Sequence, residues 1–499
     1  MIGERNAREG DGRMEMADTQ GMRLSRATLD RLPDMVARPA YPLAERPPGI
    51  VHFGPGAFHR AHQAAYVDAI LPRDPRWSIA AVALHSTSVA DALAPQDGLY
   101  VLAEIASPPR HRVIGALGEL LTAKRDGAAI LARLAAPTTL LVTVTVTEKG
   151  YCLDPNGALD REHPGIVQDL AQPERPTTLI GWLVAGLSAR RDADVGGLTI
   201  LSCDNLPGNG RLLGGAVRDF ARLRDPALAD WIEREVRFPS SMVDSITPAT
   251  DDRLRAAVRE ATGVIDAWPI QREPFAQWVV EDEFAGERPP LGIAGVQFVQ
   301  DVAPFEEAKL RLLNGAHSTL AYLGILLGHE TVADAMADAP LAALVERLMR
   351  ADIAPTLHPL EGQSLDDYVT AILARFRNPA MRHLLAQIAW DGSQKLPIRL
   401  LGTMADRLAA RADVARLAWP VAAWMRFLRR SRAADDPLVD PLRDRLLPLA
   451  RGDDPLALLG VEQVFPPALA ADPRFREAVA RAYDRLADPR AAVDEEGRS

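Results

Sequence analysis

Three residue types suited to proton transfer at a hydroxyl or carbonyl recur at a helical spacing within Lys309-Leu310-Arg311-Leu312-Leu313-Asn314-Gly315-Ala316-His317-Ser318. At 3.6 residues per turn, Lys309, Asn314 and His317 fall in an arc of about 140° that also holds Leu310 and Leu313. A solvated face would not mix these residues with leucines so regularly, so the trio is expected to face a cleft. A lysine desolvated by leucines loses preference for its charged form and can act as a base. An asparagine amide can hold an alkoxide or carbonyl oxygen, and a histidine can orient a neighbouring hydroxyl. Singly, each residue has a plainer explanation: a snorkelling lysine, a capping asparagine, a core histidine. Their convergence on one arc favours a site. Eight residues of regular helix would separate Lys309 and His317 by about 12 Å along the axis. Either the substrate spans that distance or Lys309 precedes the first full turn.

The preceding Pro304-Phe305-Glu306-Glu307 has the proline and acids expected at a helix N-terminus. From there to the end, Ala/Leu/Arg-rich helical runs dominate: roughly 305–327, 340–350, 365–375, 404–430 and 439–450. Upstream, strands and helices alternate. Gly49 to Phe53 reads as a strand that enters the turn Gly54-Pro55-Gly56-Ala57-Phe58-His59-Arg60. Strand, glycine turn and helix together place a pyrophosphate at a helix N-terminus. The third glycine of the usual dinucleotide fingerprint is missing near Arg60, so alone the match is weak. Trp77 to Leu84 reads as the second strand. His85, Ser86, Thr87 and Ser88 follow it, with Asp91 the first acid, which leaves NAD against NADP open.

The clearest strand signal runs from Thr138 to Thr147 and ends in Glu148-Lys149-Gly150-Tyr151-Cys152. Another, Leu198 to Cys203, ends in Asp204-Asn205-Leu206-Pro207-Gly208. Both endings lie where open α/β sheets bind ligands. Helices are expected over 210–235 and 250–260, and extended segments over Phe238–Thr247, Phe275–Phe284 and Val296–Val302. The fold class is therefore α/β: a Rossmann-type doubly wound domain over 46–290, then a mostly α-helical domain over 291–499. Residues 1–45 are read as a partly disordered leader. In the helical half, Asp391-Gly392-Ser393-Gln394-Lys395 is a polar turn whose lysine either faces solvent or contacts substrate.

The chain's 499 residues carry a net charge of −10 and no basic stripe, which argues against nucleic-acid and membrane-surface partners. Two cysteines, Cys152 and Cys203, exclude a disulfide framework and a four-cysteine zinc site and fit a reducing cytoplasm. No apolar run reaches membrane-spanning length. Oligomeric state, monomer or dimer, stays open.

These stretches, in this order, carry a family resemblance. Gly54-Pro55-Gly56-Ala57-Phe58-His59-Arg60-Ala61-His62-Gln63, Thr147–Cys152, Ser202–Gly210, Phe238–Asp244, Glu273–Asp282, the Lys309 block and Asp391–Lys395 resemble the mannitol dehydrogenase family of polyol-specific long-chain dehydrogenases. The resemblance implies metal-independent NAD(P) chemistry on a small sugar or sugar-acid substrate. It implies that Lys309 is the general base, that Asn314 and Asn205 hold the reacting oxygen, and that His317 orients substrate. Glu306 would couple the lysine to solvent, and Asp244 would be a further polar residue at the substrate. Gly54, Gly56, Ala57, Phe58 and Arg60 would hold the cofactor.

Several details look closest to the mannonate oxidoreductase (fructuronate reductase) branch: Glu148-Lys149-Gly150, Arg311, Ala354-Pro355-Thr356-Leu357, Arg382-His383 and Gln387-Ile388-Ala389-Trp390. A hexuronate carboxylate needs a cationic partner, for which Arg311, Arg382, Lys149 and Lys395 are the candidates. A neutral polyol, as for a mannitol or arabinitol 2-dehydrogenase, would need only hydroxyl partners. A zinc-dependent dehydrogenase and a dinucleotide-binding regulator without turnover are the contrasting readings.

Overall fold

The computed structural model describes residues 21–43, 47–431 and 438–498. Five parallel strands form the main sheet, in the order Leu117–Thr122, Ile79–Ala83, Ile50–Phe53, Leu141–Val144 and Thr199–Ser202. Three of these strands are buried along their whole length, which is why they read as nearly continuous apolar runs. Alternate residues supply the two faces. Val51 and Phe53 pack with Val142, Val144 and Ile200 beneath the helices Gly127–Ala135, Leu179–Asp192 and Asn209–Arg224. Ile50, Ile79, Ala81 and Leu141 face the helix Gln63–Ile70. The sheet is doubly wound, as expected.

Two small sheets complete this half. Ser241–Asp244, Gln277–Glu281 and Gln297–Val299 form one, inside the three extended segments expected there. Tyr100–Glu104, Arg110–Ile114 and Ile270–Arg272 form the other. All three of its strands, and the main-sheet strand Leu117–Thr122, have no counterpart among the expected elements. Half-exposed sequences such as Arg-His-Arg-Val-Ile carry little strand signal.

Residues 1–20 and 44–45 of the expected leader lie outside the described residues. Residues 21–43 pack on the domain: Leu24, Leu32 and Val36 are buried with Val101, Val113 and Val258. Gln297–Val299 pairs with Gln277–Glu281, so the sheet half continues past residue 291. The helical half is built around Gly315–Leu327, whose Ala316, Leu320 and Leu323 share a core with Trp424 and Phe465. The helical run expected over 404–430 is two helices, Gly402–Ala409 and Ala418–Arg430, separated by a turn with Arg411 at φ +57°. Met242, Val279 and Val299 join the helical core, so the sheet Ser241–Asp244, Gln277–Glu281 and Gln297–Val299 docks the two halves together. No helix of the described residues is long and apolar enough to cross a membrane.

Candidate active site

Gly54 leaves the first strand with φ +90°, and a Cβ there would lie 2.0 Å from the Thr145 carbonyl oxygen. Only glycine lets this turn lie against the end of the neighbouring strand. The Thr145 hydroxyl donates to the Gly54 carbonyl at 2.7 Å and holds the turn from below. Gly56 then caps the helix Ala57–Ala61 in extended conformation. A cleft of about 560 Å³ opens over the turn, lined by Gly54, Gly56, His85, Ser86, Thr145 and Lys149. Close backbone approach, a helix start and strand C-termini around one cleft fit a dinucleotide. Asp91, the first acid after the second strand, is bound by Arg125 at 2.7 Å and by the Thr87 hydroxyl at 2.7 Å. It does not line the cleft.

The cleft continues inward. A cavity of about 650 Å³ shares Gly56, Thr145 and Thr147 with it and is bounded by Ala57, Phe58, Asn205, Asp244 and Lys309. On the far side of the lysine, a smaller cavity of about 170 Å³ is lined by Asn205, Glu306, Lys309, Asn314 and Arg399, among others. Lys309 borders both cavities.

Lys309 is buried, and its Nζ donates to the Asn205 Oδ1 at 2.6 Å and the Val243 carbonyl at 2.7 Å. Burial pushes its pKa below the ordinary lysine value, and the nearby Asp244 carboxylate opposes that shift. Asn205 stands on the turn after Thr199–Ser202, which is tied in place from two directions. The Asp204 carboxylate accepts from the Val146 and Thr147 N–H groups at 3.2 and 2.9 Å. The Asn209 amide donates to the Asp204 and Ser241 carbonyls, both at 2.8 Å. With its oxygen on Lys309, the Asn205 amide has its N–H groups left to donate toward a substrate oxygen.

The regular helix assumed from spacing does not hold around the lysine. Lys309–Asn314 is a π-helical stretch between the helices Ala303–Ala308 and Gly315–Leu327. Hydrogen bonding from i to i+5 brings residues five apart nearly above one another. Lys309 and Asn314 therefore share one cavity wall, closer in angle than the about 140° that five residues of regular helix would give.

Glu306 lies one turn before the lysine and accepts from the Gly208 N–H at 3.0 Å. Burial raises its pKa, opposed by that N–H bond. It borders the lysine cavity and also an outer cavity lined by Asp301, Arg311 and His358. His317 is buried with its ring against Phe376 and His383, at centroid distances of 4.5 and 5.1 Å. Among the described residues its Nε2 has no hydrogen-bond partner, and burial holds it well below the usual imidazole range, hence neutral. His317 lines neither lysine cavity.

The remaining expected residues separate. Asp244 borders the cavity, but its carboxylate is gripped by Arg375, with Nη1 2.6 Å away; Arg375 also holds Glu273 at 2.7 Å. Asp244 is thus a buried ion-pair partner before any substrate arrives. Arg311 faces the outer cavity and pairs with Glu307 at 3.0 Å and Asp406 at 2.5 Å. Arg382 is exposed and pairs with Glu330 at 2.5 Å. Lys149 is exposed over the dinucleotide cleft, away from Lys309. Lys395 is half-buried, and its Nζ donates to the Ile388 carbonyl at 3.3 Å. Arg60, expected at the cofactor, lines neither cleft: its buried guanidinium donates to the Trp268 carbonyl at 3.0 Å and lies over the Trp268 ring.

Two residues at the site had not been singled out from the sequence, Arg375 and Arg399. Arg399 follows Lys395 by one helical turn, and that spacing was the available signal. Among the described residues, no three His, Cys, Asp or Glu side chains converge as a metal-ligating group. Cys152 and Cys203 are buried and free.

A glycine-turn parallel sheet whose cleft runs to a buried lysine on a helical domain is the plan of an oxidoreductase acting on CH–OH groups. The chain belongs to the mannitol dehydrogenase family. Residues 48–292 match the mannitol dehydrogenase Rossmann domain, and residues 301–487 match the mannitol dehydrogenase C-terminal domain. The D-mannonate oxidoreductase of Escherichia coli K12 is 41% identical over 466 residues, covering 91% of this chain and 96% of its own. A mannitol 2-dehydrogenase of Neosartorya fischeri is 37% identical over 454 residues, covering 88% and 90%. The structure of Pseudomonas fluorescens mannitol 2-dehydrogenase in ternary complex with NAD and D-mannitol is 39% identical, with a TM-score of 0.79. The match covers 96% of this chain and 99% of that one.

Proposed function

We propose that this oxidoreductase interconverts an open-chain keto sugar acid and its aldonate, D-fructuronate and D-mannonate, with NAD as cofactor and Lys309 as general acid and base. The observation that carries the proposal is the buried Lys309 Nζ, bonded to Asn205 where the dinucleotide cleft meets the inner cavity. The dinucleotide, when bound, exchanges a hydride with the substrate carbon. In reduction, protonated Lys309 donates to the carbonyl oxygen while the Asn205 and Asn314 amides polarise it. In oxidation, neutral Lys309 takes the hydroxyl proton, a state that its burial favours. Glu306, between the lysine cavity and the outer one, passes the proton to solvent.

The D-mannonate oxidoreductase relative supports the sugar acid. One observation favours the neutral alternative, a mannitol-type 2-dehydrogenase: Arg311 and Arg382 already spend their charge on Glu307, Asp406 and Glu330. The experiment is NADH and NADPH oxidation by the purified protein with D-fructuronate and with D-fructose, side by side. Strong turnover with fructuronate and little with fructose is expected. The reverse preference would assign the enzyme to neutral polyols, and a clear NADPH preference would overturn NAD.

A further inference from the structure

Arg399 is placed in the lysine cavity by a second π-helical stretch, Pro397–Leu401, packed against the one that carries Lys309. Its Nη1 donates to the Ser318 hydroxyl at 3.1 Å and, weakly, to the Asn314 carbonyl at 3.4 Å. Among the described residues its buried Nε has no hydrogen-bond partner. Among the described residues no carboxylate pairs with it, in contrast to Arg311, Arg375 and Arg382. Burial depresses its pKa, opposed only by the Tyr322 hydroxyl and by no carboxylate.

A half-buried guanidinium held only by neutral oxygens is costly, because the buried Nε proton has lost water without gaining an acceptor. Such a group persists where an anion completes it. The cavity supplies the room: about 170 Å³ lined by Lys309, Asn205, Asn314 and Arg399, sharing its Asn205, Val243 and Lys309 wall with the inner cavity. A guanidinium fork also matches a carboxylate's two oxygens, which a sugar hydroxyl cannot do.

We infer that Arg399 is the specificity-determining residue that binds the substrate's terminal carboxylate, while Lys309 and the two asparagines hold the reacting oxygen. The inference rests on the sugar-acid reading above and gives it a residue. It replaces Arg311 and Arg382 in that role, since their charges are already met by acids of the protein. The Asn314 carbonyl and Ser318 hydroxyl become the positioning contacts that aim the fork. A substrate bound this way spans the cavity with its carboxylate on the helical domain and its reacting carbon toward the glycine-turn cleft.

Steady-state kinetics of the wild type, Arg399→Leu and Arg399→Lys with D-fructuronate and D-fructose test this, with NADH binding followed by fluorescence to establish that each variant is folded. For Arg399→Leu, the ratio of kcat/KM for fructuronate to that for fructose is expected to fall on the order of 10²-fold, mostly through KM. Arg399→Lys, which keeps the charge but not the fork, should recover part of the ratio. A wild type active on fructuronate whose ratio is unmoved in Arg399→Leu overturns the role of Arg399 and leaves the substrate reading standing. A wild type active on fructose alone overturns both. If Arg399→Leu fails to bind NADH, Arg399→Lys decides alone: an unchanged ratio counts against the inference, a lowered one for it.

Discussion

Lys309 of the helical domain and Asn205 of the sheet domain meet at 2.6 Å, Nζ to Oδ1. The proposed acid–base group therefore works only when both domains are in register. The Ser241–Asp244 sheet provides that register, since the Val243 carbonyl accepts from the lysine while its neighbour Met242 packs in the helical core. The interface is part of the chemistry.

The electrostatics around Lys309 give a signed pH prediction. Asp244 raises the lysine pKa against the lowering effect of burial, and Arg375 lowers it. Asp244→Asn removes the raising charge and frees Arg375 from one of its two acids, so both changes move the lysine pKa further down. The rising limb of the pH profile for polyol or aldonate oxidation should shift to lower pH. The falling limb for reduction, which needs the protonated lysine, should shift the same way. Profiles of kcat/KM in both directions check this, and a shift to higher pH would contradict the charge assignment.

Arg375 holds two buried carboxylates, Asp244 and Glu273, with all three side chains nearly inaccessible. Arg375→Met leaves both acids without their cation and should cost about 3–5 kcal/mol in denaturant unfolding. Burial already raises the Glu273 pKa even with Arg375 present. An acid raised above its unfolded value contributes stability at low pH and loses it as pH rises through the folded pKa. The deficit of Arg375→Met should therefore grow from pH 5 to pH 8. A deficit independent of pH would mean that lost packing, not unpaired charge, is the cause.

At the glycine turn, Gly54→Ala would set a methyl 2.0 Å from the Thr145 carbonyl oxygen, at a φ of +90°. The turn must shift, and the cleft floor with it. Dinucleotide affinity is expected to drop at least tenfold, with unfolding stability lower by about 1–3 kcal/mol. Fluorescence titration with NADH checks the first and chemical denaturation the second.

Much of this was readable from residues alone, for physical reasons. The glycine turn needs glycine for steric reasons that any sequence must obey, and fully buried parallel strands write themselves as apolar runs. The Lys309 block showed its mixed polar and apolar face. What escaped depends on tertiary partners. A charged side chain does not announce whether an acid waits across the fold, so Arg311 and Arg382 read as free cations when each is already paired. The family resemblance implied a cofactor contact for Arg60, yet Trp268 from distant sequence takes it into the core. The π-helical turn over Lys309–Asn314 departs from 3.6 residues per turn, so no periodicity count at that value would find it. Arg399 needed the cavity to give it meaning.

The central claim is that Lys309 is the proton-transfer group, and single-turnover kinetics of Lys309→Ala test it most directly. With NADH binding measured in parallel, hydride transfer to D-fructuronate should slow by at least ~10²-fold while cofactor affinity stays close to wild type. Rates near wild type in a variant that binds NADH normally would contradict it, and the proton would have to be moved by another group.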